Sequence, residues 1–403
     1  MTLFDPSRHE PLLSLAWDEA LVRRKVEEIA QDCRSAFSPE SLWPIHPNDV
    51  SPERASTLKP IYYGATGVLW SLDYLSRMGV VKPVGEMADV LPSLLTAHRD
   101  DSLAVNGEPV LGFQVGDAGI LLLQYRLSSS EQVADELYRV IEQNADHPAK
   151  GFVWGGAGSA MASLFMWEQT EDSRWRTLYL DLTERLWRDW SYDEEAGGFL
   201  WTVDLYGRQS KMMSALHGLP GIVTPMLRGL ALLPDDLGRE LVERTAQIVR
   251  RTAITEDGLA NWPLAIGPTT IPDADVLRVQ HCIGAPGMVN CFAATPVGDA
   301  IDDLMLAAGE LIWRAGPLTK LPCLCHGVPG NGFSFLKLFE RTGDQQWLDR
   351  ARAFAMHAIV QNERFTTQFG TRKFSMWTGD AGLMVYLWAC LEGSSDFPTI
   401  DVF

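Results

Sequence analysis

Gly379-Asp-Ala-Gly382, running directly into Leu383-Met-Val-Tyr-Leu-Trp388, decides the fold because it is the last of seven such tetrads. The others are Gly64-Ala-Thr-Gly67, Gly116-Asp-Ala-Gly119, Gly155-Gly-Ala-Gly158, Gly218-Leu-Pro-Gly221, Gly284-Ala-Pro-Gly287 and Gly327-Val-Pro-Gly330. Their closing glycines lie 52, 39, 63, 66, 43 and 52 residues apart. Each tetrad opens an apolar segment, such as Val68-Leu-Trp-Ser-Leu72 or Ile120-Leu-Leu-Leu123. A recurrence at this period marks stacked supersecondary units, each burying its apolar face against the next.

Between the tetrads the apolar residues fall at helical spacing. Trp347, Ala351, Phe354, Ala358 and Ile359 share one helix face, and Leu237, Leu241, Thr245 and Ile248 share another within 235–251. Ser128-Ser-Ser-Glu131 reads as a capping box opening a helix over 132–143. Strand signals are short and few. Each unit is therefore a helix pair, one helix apolar nearly all round and one amphipathic. Closing seven pairs into a ring predicts an all-α fold, an α/α toroid with inner and outer helical layers. An open superhelix of the same pairs is the alternative. In a ring, all seven glycine turns fall at one end of the inner helices, so residues flanking them meet at one mouth. The predicted division is an N-terminal extension and connector over 1–60, with a lead helix around Trp17–Cys33, and a toroid over 61–403.

Composition excludes several function classes. The chain has 403 residues, 46% hydrophobic, with 34 basic against 52 acidic residues and a net charge of −18. Such a surface repels nucleic acid and anionic bilayers. No apolar run approaches the roughly 18–20 residues of a membrane span. Asp5, Arg8, His9 and Glu10 interrupt the start, so no secretory signal is expected and a cytoplasmic location is. Four of the six cysteines, 282, 291, 323 and 325, cluster within 44 residues, a pattern favouring a metal or reactive thiol over disulfides.

The chemistry-bearing candidates flank the tetrads. They are His217 before Gly218, Cys282 before Gly284, and Cys325-His326 before Gly327. Cys282, Cys325 and His326 together would make a Cys₂His zinc site with one open position, as catalytic zinc requires. Cys323 is a rival ligand, while Cys33, Cys291 and Cys390 lie in apolar helical context and read as packing residues.

Arg278-x₃-Cys282-x-Gly284-Ala-Pro-Gly287, Cys325-His326-Gly327 and His217-Gly218-Leu-Pro-Gly221 resemble the lanthionine synthetase C-like (LanC-like) family, across nearly the whole chain. The resemblance implies a toroid of seven inner and seven outer helices, with Zn²⁺ bound by Cys282, Cys325 and His326. It implies addition of a thiol, from a peptide cysteine or glutathione, to a dehydroamino acid in a dehydrated precursor peptide. It gives His217 the role of proton donor and Arg278 that of partner to the developing oxyanion. Two departures stand out. The family has an aromatic residue before its first zinc cysteine and Tyr or His after it, whereas this chain reads His281-Cys282-Ile283. An acidic residue just upstream of the third turn is replaced by Lys150-Gly151, leaving Asp117 or Asp380 as alternative carboxylates at the mouth.

Two other functions compete with this one. A non-catalytic LanC-like protein would bind zinc, thiol peptide or glutathione without forming product. A toroidal carbohydrate enzyme would need two opposed carboxylates, for which Asp193-Glu194-Glu195 is the raw material.

Overall fold

A computed structural model describes residues 2–50, 58–271 and 273–403. Seven helices begin at the glycine turns, with the opening glycine as N-cap: α2 (Ala65–Arg77), α4 (Asp117–Ser128), α6 (Gly156–Thr170), α8 (Leu219–Arg228), α10 (Ala285–Phe292), α12 (Val328–Thr342) and α14 (Asp380–Glu392). Each packs on the next around a circle, and α14 packs on α2. That last contact closes the ring and excludes an open superhelix. Seven more helices lie outside: α1 (Glu19–Ser35), α3 (Leu91–Asn106), α5 (Glu131–Gln143), α7 (Ser173–Arg188), α9 (Asp235–Thr252), α11 (Val297–Ala315) and α13 (Gln345–Phe369). The protein is an α/α toroid.

Burial explains the two kinds of helix. An inner helix has the ring axis on one side and an outer helix on the other, so it needs no polar face. Gly156–Met166 of α6 and Val328–Leu338 of α12 are accordingly buried without a break. An outer helix faces water, and α5 buries only Val133, Ala134, Leu137, Val140 and Ile141. The helix α1, from the segment read as an extension, packs on α14 and α13 as the seventh outer helix. Arg372, itself buried, ties it down through Glu28 and Asp32, both at 2.6 Å.

The closing glycines are required by close approach rather than by backbone freedom. A Cβ on Gly330 would overlap the carbonyl oxygen of Leu324, six residues earlier, and the same holds for Gly67 with Ile61 and Gly382 with Met376. Neighbouring turns add a second contact. In six of the seven turns the side chain three residues before the opening glycine lies over the closing glycine of the next turn, as with Met376 over Gly67, Phe113 over Gly158, Ala215 over Gly287 and His281 over Gly330. Glycine at these positions lets one turn seat on the next.

Two local features differ from expectation. The segment opening at Ser128 is not a capping box: α4 runs through Ser128, whose hydroxyl bonds back to Gln124, and Ser130 is the N-cap of α5. Short strands also occupy the two longest intervals: β1 (Ser191–Asp193), β2 (Gly198–Leu200), β3 (Val203–Leu205), β4 (Arg208–Met212), β5 (Ile254–Glu256), β6 (Leu259–Asn261) and β7 (Ala265–Ile266). They pair antiparallel as β1–β2, β3–β4–β7 and β5–β6. Strands of two to five residues are too short to show alternation in sequence. Among the described residues, no helix is long and apolar enough to cross a membrane.

The final residues enter the ring. Arg228, at the last residue of α8, donates to the carbonyls of Ile400 and Asp401, at 2.7 and 2.6 Å. Buried Lys337 pairs with Asp401 at 2.9 Å, and Phe403 packs on Trp70, Phe113 and Phe165. Nearer the turns, the Thr399 hydroxyl accepts from Gln114 Nε2 at 2.9 Å and Trp377 Nε1 at 3.2 Å. Thr399→Val removes the acceptor of two buried donors, each worth about 1–3 kcal/mol when orphaned. Denaturant unfolding is expected to register a loss in that range or somewhat above it, and an unchanged midpoint would refute the assignment.

Candidate metal centre and cavity

A circle of main-chain hydrogen bonds sets the site. The residue two before each opening glycine bonds its counterpart in the next turn. Tyr62 N donates to Gln114 O at 2.9 Å, Gln114 N to Val153 O at 3.3 Å, and Val153 N to Leu216 O at 3.3 Å. Cys282 N donates to Cys325 O at 3.0 Å, Cys325 N to Trp377 O at 2.9 Å, and Trp377 N to Tyr62 O at 3.0 Å. Between Leu216 and Cys282 the Ser214 hydroxyl substitutes, donating to Cys282 O at 2.8 Å. Cys282 and Cys325, 43 residues apart in sequence, are thereby neighbours.

Their thiols are electrostatically linked as well. The neighbouring Cys325 thiol holds the Cys282 thiol down to about 6 against the opposing effect of burial, and the His326 charge and Gln280 contribute further. Burial and the neighbouring Cys282 push Cys325 up. Each sulfur also receives a neutral donor: Tyr62 Oη donates to Cys325 Sγ at 2.8 Å, and Gln280 Nε2 to Cys282 Sγ at 2.9 Å. His326 belongs to the same group. Its pKa is raised by the neighbouring Cys323, with burial opposing, and by Cys282.

Two sulfurs and an imidazole on adjoining turns are the donor chemistry of a zinc site. Among the described residues, no group of three or more His, Cys, Asp or Glu is already arranged about one point as a metal site.

A cavity of about 890 Å³ opens at the mouth, lined by Tyr62, Trp154, Tyr206, His217, Lys320 and His326 among others. His217 is half-buried, its Nδ1 has no hydrogen-bond partner among the described residues, and burial lowers its pKa to about 4, so it is neutral at pH 7. Arg278 does not line this cavity; its guanidinium lies 4.0 Å from the exposed Asp273 carboxylate. His281 is turned into the core, stacked on Phe397 at 4.6 Å and hydrogen-bonded to Asn290. Asp117 is paired with Arg99 at 2.6 Å, and Asp380 is buried 3.6 Å from Arg372; neither carboxylate lines the cavity. Cys33, Cys291 and Cys390 are buried, and burial raises each thiol.

The site residues missed in sequence are Tyr62 and Gln280. Tyr62 had a signal available, since it stands two residues before Gly64, as Cys282 and Cys325 stand before their own glycines.

The lanthionine synthetase C-like protein family model matches residues 55–402. The chain belongs to that family. Similar proteins include "Glutathione S-transferase LANCL1" of Danio rerio, 30% identical over 199 residues, which are 48% of this chain and 47% of that protein. "LanC-like protein GCL1" of Arabidopsis thaliana is 30% identical over 202 residues, 48% of this chain and 44% of that protein. The matched segments thus span about half the length of these LanC-like relatives. Among solved structures, nisin cyclase superposes with a TM-score of 0.63 at 15% identity, covering 94% of this chain and 99% of that one. That likeness concerns the LanC-like fold alone.

Proposed function

We propose that this LanC-like protein is an enzyme that activates a thiol at a zinc ion held by Cys282, Cys325 and His326 and adds it to a dehydroamino acid. The observation that carries the reading is the main-chain bond that seats Cys282 beside Cys325, at a mouth cavity that His326 and His217 both line. Zinc held by two thiolates and an imidazole favours the ionised form of an incoming thiol at neutral pH.

The remaining steps fall to the chain's own side chains. The sulfur bonds to the β-carbon of the acceptor, and the α-carbon takes a proton, so addition is redox-neutral. His217, neutral at rest, is suited to take the proton the thiol gives up and return it to the α-carbon. Arg278, given the oxyanion by the family resemblance, would have to leave its 4.0 Å contact with Asp273 and reach into a cavity that it does not line. Ile283, following Cys282, has no transferable proton, which concentrates proton transfer on His217. The cavity is large enough for a peptide segment. Its two candidate thiols are glutathione, suggested by the name of the Danio rerio relative, and a peptide cysteine, suggested by nisin cyclase. Six cysteines without disulfides suit a reducing compartment such as the cytoplasm.

The carbohydrate reading has less support, because Asp193 is engaged by Lys211 and caps its hairpin through Ala196 N, away from the cavity. The test is metal analysis joined to a thiol-addition assay on a dehydroalanine peptide. We expect about one zinc per chain and a thioether product. Zinc without product from either thiol leaves a binding protein, and no zinc overturns the reading. His217→Asn is expected to keep its zinc while kcat falls about 10²–10⁴-fold, the usual share of a general acid–base. Loss of zinc in that variant would contradict the role.

A further inference from the structure

We infer that Tyr62 and Gln280 are positioning residues for the two sulfurs, one neutral donor to each, and that both set the strength with which the site holds its metal. This inference rests on the zinc reading above. The geometry singles out these two because each reaches a different sulfur from a different turn, at 2.8 Å for Tyr62 and 2.9 Å for Gln280.

Tyr62 is fixed on every side that matters to its hydroxyl. Its amide and carbonyl are both in the main-chain circle, bonded to Gln114 and Trp377. Its ring stacks on Trp377 with centroids 5.6 Å apart and planes 18° from parallel. The Trp377 indole is anchored in turn by Thr399, which also holds Gln114. A hydroxyl placed so firmly leaves Cys325 Sγ little freedom of direction. Gln280 is buried and held within its own turn, exchanging main-chain hydrogen bonds with Ile283 at 3.2 and 3.0 Å. Its amide therefore meets Cys282 Sγ from a rigid support.

The charge argument gives the sign. A thiolate ligand is acceptor-only, and a neutral O–H or N–H donor orients its lone pairs and disperses charge without competing for the ion. Groups that orient metal ligands from behind commonly govern affinity by about 10–100-fold. Tyrosine's donor is removed without disturbing its ring by Tyr62→Phe, which keeps the stack on Trp377. Gln280→Met removes the amide at similar volume.

The experiment titrates the metal-free wild-type, Tyr62→Phe and Gln280→Met proteins with Zn²⁺ against a competing chelator. In parallel it records the thiolate-to-metal charge-transfer band of the Co²⁺-loaded forms. Each variant is expected to bind Zn²⁺ about 10–100-fold more weakly, with a shifted Co²⁺ band and an unchanged unfolding midpoint of the metal-free protein. Affinity within twofold of wild type and a superimposable band in both variants would overturn the inference while leaving the zinc reading intact. A wild-type protein that binds no Zn²⁺ would instead remove the zinc reading, and this inference with it. If one variant fails to fold, the other decides the question at its own sulfur.

Discussion

Cys325→Ala is expected to fold, to lose its zinc and to form thioether at least about 10³-fold more slowly than wild type. The size follows from what a bound metal contributes to such a reaction, several kcal/mol of charge stabilisation, at about 1.4 kcal/mol for each tenfold. Folding survives because the deleted group is one sulfur at the mouth, whereas the toroid is held by seven inner helices buried along their lengths. The main-chain bonds from Cys325 to Cys282 and Trp377 do not involve the side chain and remain. The same variant decides between the two adjacent thiols. Cys325 holds the place in its turn that Cys282 holds in its own, is joined to Cys282 through the main-chain circle and receives the Tyr62 hydroxyl, whereas Cys323, the rival ligand, stands two residues away from that circle. Cys323→Ser is accordingly expected to retain zinc. Metal analysis and the dehydroalanine assay on both proteins check the pair. A Cys325→Ala protein with full zinc and Cys323→Ser without it would transfer the site to Cys323.

Much of this architecture was legible because it repeats. Seven tetrads followed by apolar runs announced seven inner helices, and amphipathic intervals announced their partners. The count left an open superhelix as the alternative, and the packing of α14 on α2 decides for the ring. What stayed hidden depends on relations between turns rather than within them. The position three before each opening glycine is an inward core position, occupied by Ile61, Phe113, Phe152, Ala215, Leu324 and Met376. His281 takes the same position in the fifth turn, and this is why it packs on Phe397 instead of offering itself as a ligand. The position two before the glycine lies on the main-chain circle, which joins Tyr62 to Cys282 and Cys325. The place of Tyr62 two residues before Gly64 puts it on that circle, but nothing in Pro60-Ile-Tyr-Tyr-Gly64 says that its hydroxyl meets a sulfur 263 residues away. Thr399 is hidden for a similar reason: its two partners come from the second and seventh turns, and a lone threonine outside the repeats carries no periodic signal.

Gly330→Ala brings fold and site together, and is expected to cost about 3–5 kcal/mol of stability together with the bound zinc. Overpacking usually costs about 1–3 kcal/mol, the neighbour yielding part of the space. Here neither neighbour is placed to yield. The new methyl would overlap the carbonyl oxygen of Leu324 and fall 3.1 Å from Cβ of His281. Leu324 is joined to Cys325, whose amide is bonded to Trp377 O and whose carbonyl is bonded to Cys282 N. His281 is joined to Cys282 and is wedged between Asn290, Trp377 and Phe397. Relief in either direction therefore moves Cys282 or Cys325 and breaks the main-chain circle between the fifth and sixth turns. Gly343→Ala supplies the comparison. That glycine ends α12 at φ +68° with nothing within 4 Å of an added Cβ, so only the left-handed backbone penalty of about 1 kcal/mol applies. Denaturant unfolding and zinc content measured on both variants separate the two effects. If Gly330→Ala proves no less stable than Gly343→Ala and keeps its zinc, close seating of turn on turn is not what the tetrads are for.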